Sequence, residues 1–228
     1  MEEELPSSKI YNMPSRKVNL VEGEYYHLFN RGVDKRDIFM DKEDVERFHQ
    51  CMIEFNTKVP IGSIYENSFL KEKEKEDTPL VSFISYCLNP NHYHHIMTPL
   101  VEKGIESFMQ RLGTGYTLYF NNKYKRSGSL FQGKFKASHI DSNEYLLHVS
   151  AYVNLNDKTH QLGGSSSKLV RSSWDEYRGI EKMGICNKDI ILNQFKNSKE
   201  YEQFALSSLI DIQERKKDQR ELQDLLID

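Results

Sequence analysis

The 228-residue chain has few cysteines and no long apolar stretch, and each shortage excludes a class of protein. The three cysteines, Cys51, Cys87 and Cys186, are far apart and form no Cys-x-x-Cys pair, which argues against a zinc knuckle or a disulfide framework. No apolar run approaches the roughly 20 residues that a membrane helix needs. The first four residues, Met1-Glu2-Glu3-Glu4, are acidic, so a secretory signal is not expected. These shortages predict a cytoplasmic protein that contacts no membrane.

The net charge of −3 indicates no particular partner, but the basic residues are unevenly distributed. The segment from Arg111 to His139 contains six lysines and arginines and no acidic residue. Aromatic residues are interleaved with these cations: Tyr116, Tyr119, Phe120, Tyr124, Phe131 and Phe135. Cations that neutralise phosphates beside rings that stack on bases suit single-stranded nucleic acid. A solvated basic face over an aromatic core explains the composition equally well.

Hydrophobic periodicity predicts a β-α-β-β-α-β-α order. The predicted strands cover 25–29, 80–88, 92–97 and 134–140. The predicted helices cover 42–56, with Asp41 as the N-cap, 104–122, and a segment that begins at Asp141 as a capping box with Glu144. This order predicts an α+β, ferredoxin-like (RRM-like) antiparallel sheet with helices on one face.

Three regions are expected along the chain. Residues 1–20 are predicted to be a flexible N-terminal segment, and residues 21–178 a single catalytic domain. Residues 179–228 are polar and predict a helical C-terminal extension.

A pair of histidines lies on the second strand of the predicted hairpin. His92 and His94 are two residues apart, so both side chains leave the same face of the strand. Two imidazoles that converge in this way can chelate a divalent metal. An isolated His-x-His pair is more often a surface or packing feature. His95 points to the other face and is expected to pack beneath a helix or to pair with another group rather than to bind metal.

A tyrosine and an asparagine follow in the last predicted helix of the domain. Tyr152 and Asn156 are four residues apart and would be neighbours on one helix face. The amide oxygen of Asn156 could complete a His-His-Asn metal site, and the phenol of Tyr152 could attack a phosphate held there. A Tyr-x-x-x-Asn pair by itself is weak evidence, because a helical tyrosine usually belongs to a core or an interface.

Taken together, these motifs resemble a known family. The run 89–94, Asn-Pro-Asn-His-Tyr-His, resembles the signature of the HUH nucleases. The runs 29–39, 129–136, 141–147 and 152–156 resemble the bacterial single-tyrosine transposases, especially the REP-associated tyrosine transposases and their insertion-sequence relatives. The sequence departs from that pattern at Asp157, where relatives commonly have proline, and at His95, where they commonly have an aliphatic residue.

The resemblance implies a DNA transposase that cuts and rejoins single-stranded DNA through a 5′-phosphotyrosine. It implies Tyr152 as the nucleophile and Mg²⁺ or Mn²⁺ bound by His92, His94 and Asn156. The expected partner is single-stranded or hairpin DNA, and a homodimer is left open. The expected DNA contacts are basic residues near the first strand and in the basic segment: Arg31, Lys35, Arg111, Lys123, Lys125, Arg126, Lys134 and Lys136.

Other functions remain open at this point. A non-catalytic, domesticated regulator that binds nucleic acid on the same sheet would keep the fold without the chemistry. A replication initiator or relaxase would share the HUH chemistry, but such proteins usually have larger domains and further motifs. A metal-dependent hydrolase would leave the Tyr152–Asn156 pair unexplained.

Overall fold

The computed structural model describes residues 18–69, 78–159, 169–181 and 184–225. The segment predicted to be flexible, residues 1–20, therefore lies outside the described residues except for 18–20. The C-terminal residues 226–228 of the predicted extension also lie outside them. The described helices include none that is both long and apolar enough to cross a membrane. The three cysteines are free.

A five-stranded antiparallel sheet forms the centre of the molecule. The strands are β1 (Tyr25–Arg31), β2 (Val81–Asn89), β3 (His92–Pro99), β4 (Lys136–Ile140) and β5 (Arg171–Ser172). Their order across the sheet is β4-β1-β3-β2-β5. β2 and β3 form the predicted hairpin, and β1 pairs with β3 on its other side. The first four strands confirm the sequence prediction to within about two residues, as expected for element ends.

Eight α-helices surround this sheet in the described part of the chain. They are α1 (Lys42–Glu54), α2 (Ile64–Asn67), α3 (Gly104–Lys123), α4 (Asn143–Asn154), α5 (Asn156–Thr159), α6 (Trp174–Tyr177), α7 (Asp189–Leu192) and α8 (Ser198–Leu225). Asp41 caps α1 as predicted, because its carboxylate accepts a hydrogen bond from the Asp44 amide. The cap of α4 is Ser142 rather than the expected Asp141: the Ser142 hydroxyl accepts from the Tyr145 amide. A serine hydroxyl accepts from an unpaired backbone amide in the first turn of a helix as well as an aspartate carboxylate does.

The antiparallel α+β sheet is confirmed, but the helices cover both of its faces rather than one. Alternate residues of β3 belong to two separate cores. Tyr93 and Met97 pack in the first core with Phe48 of α1. Ile96 packs in the second core with Val149 of α4. Nearly every residue of β2 and β3 is buried, so these central strands need apolar cover on both sides.

The helical C-terminal region is also confirmed, and it packs on α4. Tyr201, Ala205 and Leu209 of α8 are spaced at four-residue intervals and are buried in the second core. The Tyr201 hydroxyl accepts a hydrogen bond from the Asn154 amide at 2.8 Å. α8 therefore supports the helix that carries Tyr152, while the domain boundary at residue 178 stays a prediction.

Candidate active site

The two histidines of the hairpin lie side by side at the start of β3. His92 and His94 are on the face of the sheet that α4 covers, because strand residues two apart share a face. Their ring centroids are 5.1 Å apart and the ring planes are nearly perpendicular. His94 is buried and His92 is half-buried. The structure thus places both imidazoles at one location.

Asn156 reaches the same location by a different backbone path from the one expected. α4 ends at Asn154, Leu155 is its C-cap, and Asn156 is the first residue of α5. Tyr152 and Asn156 are therefore not on one continuous helix. The break directs the Asn156 amide towards the hairpin, where its Oδ1 lies 3.2 Å from His92 Nε2. The same oxygen accepts a hydrogen bond from Asn89 Nδ2 at 2.9 Å.

Tyr152 lies in the last turn of α4, with its ring edge towards the histidines. Its ring centroid is 5.6 Å from that of His94, and the planes are close to perpendicular. Burial raises the pKa of the Tyr152 phenol, and a hydrogen bond with the Asn156 side chain opposes part of that rise. The phenol is thus protonated near neutral pH and lies beside the predicted metal ligands.

Two further residues support this group and were not identified from the sequence. Asn89 is fully buried and its amide contacts both Asn156 and His92. Asn89 belongs to the Asn-Pro-Asn run that precedes His92, so a local signal existed. His27 of β1 contacts His94, with 2.8 Å between His27 Nε2 and His94 Nδ1. Burial lowers the pKa of His27 to about 4. No local motif marks His27, because its proximity to His94 depends on strand pairing.

The donor atoms are of types that bind divalent cations. No cluster of three or more His, Cys, Asp or Glu side chains that could hold a metal occurs in the part of the chain that the structure describes. The candidate set instead contains two imidazoles and one amide oxygen, ligand types that suit Mn²⁺ and, for the oxygen, Mg²⁺. The 3.2 Å between His92 Nε2 and Asn156 Oδ1 is close to the roughly 3 Å expected for two ligands bound at about 2.1 Å and at right angles.

A cavity of about 230 Å³ opens beside these residues. It is lined by Phe29, Asn30, Arg31, His92, His94, Gln132, Lys136 and Tyr152. A backbone hydrogen bond from Gln132 N to Arg31 O joins the loop before β4 to the end of β1. The cavity therefore combines the tyrosine, both histidines and two cations.

The eight basic residues expected to contact DNA are not equivalent in the structure. Five have exposed side chains: Arg31, Lys35, Lys125, Lys134 and Lys136. Arg111 donates hydrogen bonds to backbone carbonyls after α1. The Lys123 ammonium lies within 3.1 Å of the carboxylates of three acidic residues, Asp41, Glu43 and Asp44. Arg126 donates to Asn121 at 3.0 Å. Only Arg31 and Lys136 of the eight line the cavity.

Comparison with known proteins gives a family, and the solved structures that align with this chain include a transposase. The family model of IS200-like transposases matches residues 21–156, which is more than half of the chain. A solved structure of a REP-associated tyrosine transposase bound to a REP hairpin aligns with a TM-score of 0.47 and 12% identity. That alignment covers 74% of this chain and 88% of the other. None of the curated proteins matches this sequence significantly. The match over 21–156 contains the hairpin histidines, Tyr152 and Asn156, and the chain belongs to the family of IS200-like transposases.

Proposed function

We propose that this transposase cuts and rejoins single-stranded DNA with Tyr152 as the nucleophile and a divalent metal as cofactor. The observation that carries the proposal is the convergence of Tyr152 and both hairpin histidines on one cavity, with Asn156 in contact with His92 behind it. These residues come from two separate parts of the chain, a hairpin and a helix terminus. A core tyrosine or a packing histidine would not need an open cavity beside it.

His92, His94 and Asn156 are the residues that would hold Mg²⁺ or Mn²⁺. Such a cation, when bound, acts as a Lewis acid on a phosphate oxygen. Asn156 would have a second role, because its side chain is close enough to the Tyr152 phenol to oppose part of the rise in pKa that burial causes.

The chemistry proposed for Tyr152 is a displacement at phosphorus. The phenol oxygen forms a bond to the phosphorus of the scissile phosphate, and the phenol proton leaves as that bond forms. The bond between phosphorus and the 3′-oxygen of the upstream strand breaks, and that oxygen takes up the proton that the phenol lost and leaves as a 3′-hydroxyl. The downstream strand stays linked as a 5′-phosphotyrosine. This covalent intermediate divides the transfer into two steps and preserves the bond for rejoining to another 3′-hydroxyl.

The exposed cations are the proposed DNA contacts. Arg31 and Lys136 line the cavity and are placed to neutralise the phosphates next to the scissile bond. Lys35, Lys125 and Lys134 would extend the contact along the strand or an adjoining hairpin, which is the substrate that the family resemblance implies. Arg111, Lys123 and Arg126 contact the protein itself, so the structure favours a supporting role for them.

A labelled oligonucleotide tests the proposal. A single strand with a hairpin is labelled at its 3′ end and incubated with the protein and Mn²⁺, then separated on a denaturing gel. The label should move with the protein, whereas a 5′ label should remain on a free fragment. Tyr152→Phe should lose the adduct and keep DNA binding, while Tyr145→Phe, a change of another tyrosine on α4, should keep both. An adduct in the Tyr152→Phe protein would contradict the assignment, and binding without any adduct in the wild type would indicate the non-catalytic regulator.

A further inference from the structure

His94 makes a buried contact with a second imidazole that has no part in the chemistry described above. His27 and His94 are both buried, each 7% exposed. His27 Nε2 and His94 Nδ1 are 2.8 Å apart, and the two ring planes differ by only 18°. A nearly coplanar pair aligns the N–H of one ring with the lone pair of the other, which is the favourable geometry for a hydrogen bond.

We propose that His27 is a positioning residue that holds His94 in the tautomer able to bind a divalent cation through Nε2. This inference rests on the proposed function, since it assigns a purpose to His27 only if His94 binds metal. A neutral imidazole carries one proton, on either Nδ1 or Nε2. Only the form with the proton on Nδ1 leaves a lone pair on Nε2, and His27 stabilises that form by accepting the Nδ1 proton in a hydrogen bond.

The other hairpin histidine is held in the same way by a different residue. His92 Nδ1 lies 2.6 Å from Asn91 Oδ1, an oxygen that can only accept. A proton on Nδ1 would be donated to that oxygen, and the lone pair left on Nε2 would face Asn89 Nδ2, which lies 3.1 Å away and can only donate. Both imidazoles thus have Nδ1 engaged by a neighbour on the protein side. The parallel supports His27 as the counterpart of Asn91.

The surrounding contacts keep the His27–His94 pair in place. β1 and β3 are hydrogen-bonded neighbours, so the backbones of both residues belong to one sheet. The Tyr152 ring meets both imidazoles edge-on, at 6.0 Å from His27 and 5.6 Å from His94. Rotation of the His94 ring would disturb His27 and the nucleophile together.

Two substitutions separate the hydrogen bond from the packing. His27→Phe keeps a buried ring and removes both nitrogens, whereas His27→Gln restores an oxygen that can accept from His94. We expect Mn²⁺ affinity, measured by calorimetry, to fall about 10–100-fold in His27→Phe and to recover to within about threefold of the wild type in His27→Gln. His139→Phe, a change of an exposed histidine on β4, should leave the affinity unchanged.

A second measurement does not depend on metal or activity. Two-bond proton–nitrogen correlation spectra of the metal-free protein report which ring nitrogen of His94 carries the proton. The wild type should show the proton on Nδ1, and His27→Phe should show a mixture of both forms. A wild-type spectrum with the proton on Nε2 would overturn the inference even if His27→Phe did not fold.

The outcomes distinguish the inference from the proposed function. An unchanged Mn²⁺ affinity and His94 tautomer in His27→Phe, with a normal Tyr152 adduct in the wild type, would refute the role of His27 alone. A His27-dependent Mn²⁺ affinity in a wild type that forms no adduct would refute the proposed chemistry and leave the role of His27 intact. A wild type that binds no Mn²⁺ would refute both.

Discussion

His95 lies next to the metal ligands in sequence but in the opposite core, and its replacement by leucine should stabilise the protein. Its side chain is fully buried beneath α1 and stacks on Tyr93 with 4.8 Å between the ring centroids. Neither ring nitrogen has a hydrogen-bond partner among the described residues. Burial lowers the pKa of His95 to about 3, so the ring is neutral near neutral pH.

The expected size of the effect follows from two opposing contributions. A buried donor or acceptor without a partner costs about 1–3 kcal/mol, so loss of both ring nitrogens should relieve at least about 2 kcal/mol. Loss of the aromatic contact with Tyr93 should lower the free energy of unfolding by about 0.5–1.5 kcal/mol, and the change of side-chain shape should lower it further. We therefore expect His95→Leu to raise the free energy of unfolding by about 1–2 kcal/mol. For a chain of this length that is a rise in Tm of about 2–8 °C.

Urea unfolding, followed by circular dichroism and by fluorescence of the single tryptophan, would measure this change. Coincident transitions from the two signals would justify a two-state free energy. His139→Leu is the matched control, because it replaces a histidine on β4 with a side chain that is 40% exposed. It should change the free energy of unfolding by less than about 0.5 kcal/mol. If His95→Leu were no more stable than the wild type, the ring nitrogens of His95 would have hydrogen-bond partners in solution, and the reasoning would be wrong.

Three further predictions concern DNA binding, pH and metal. Lys136→Ala should weaken single-stranded DNA binding and reduce the slope of log affinity against log salt concentration by about 1. Lys123→Ala should leave the DNA affinity unchanged but lower the free energy of unfolding by about 2–3 kcal/mol. The reason is that the Lys123 ammonium pairs with three carboxylates, one of them fully buried. Burial, and secondarily the charge of Arg171, lower the pKa of His49 to about 4. In the unfolded chain His49 takes up a proton below about pH 6.5, whereas in the native state it stays neutral down to about pH 4. The free energy of unfolding should therefore fall as the pH drops from about 6.5 towards about 4, and it should fall less steeply in His49→Gln. Urea titrations at about pH 5 and about pH 7 would measure both. His92→Ala should lower Mn²⁺ affinity at least about tenfold in calorimetry and abolish the adduct, with unchanged circular dichroism.

Local spacing was enough to predict the elements and part of the site. The two-residue interval between His92 and His94 places both imidazoles on one face of any strand, and the structure confirms it. The same alternation predicted that His95 lies on the opposite face beneath a helix, where it contacts Phe48 of α1. The cap of α1 at Asp41 likewise depends only on neighbouring residues. These features repeat with the period of a strand or a helix, so the order of residues determines them.

Contacts between distant residues were decided by the tertiary structure. His27 is 67 positions from His94, and only the pairing of β1 with β3 brings them together. Lys123 is about 80 positions from the carboxylates that engage it, so these ion pairs could not be predicted from its local sequence. The break before Asn156 and the helices on both faces of the sheet also follow from packing. Residue spacing determines the direction of each side chain within its own strand or helix, whereas strand pairing and packing determine which side chains meet.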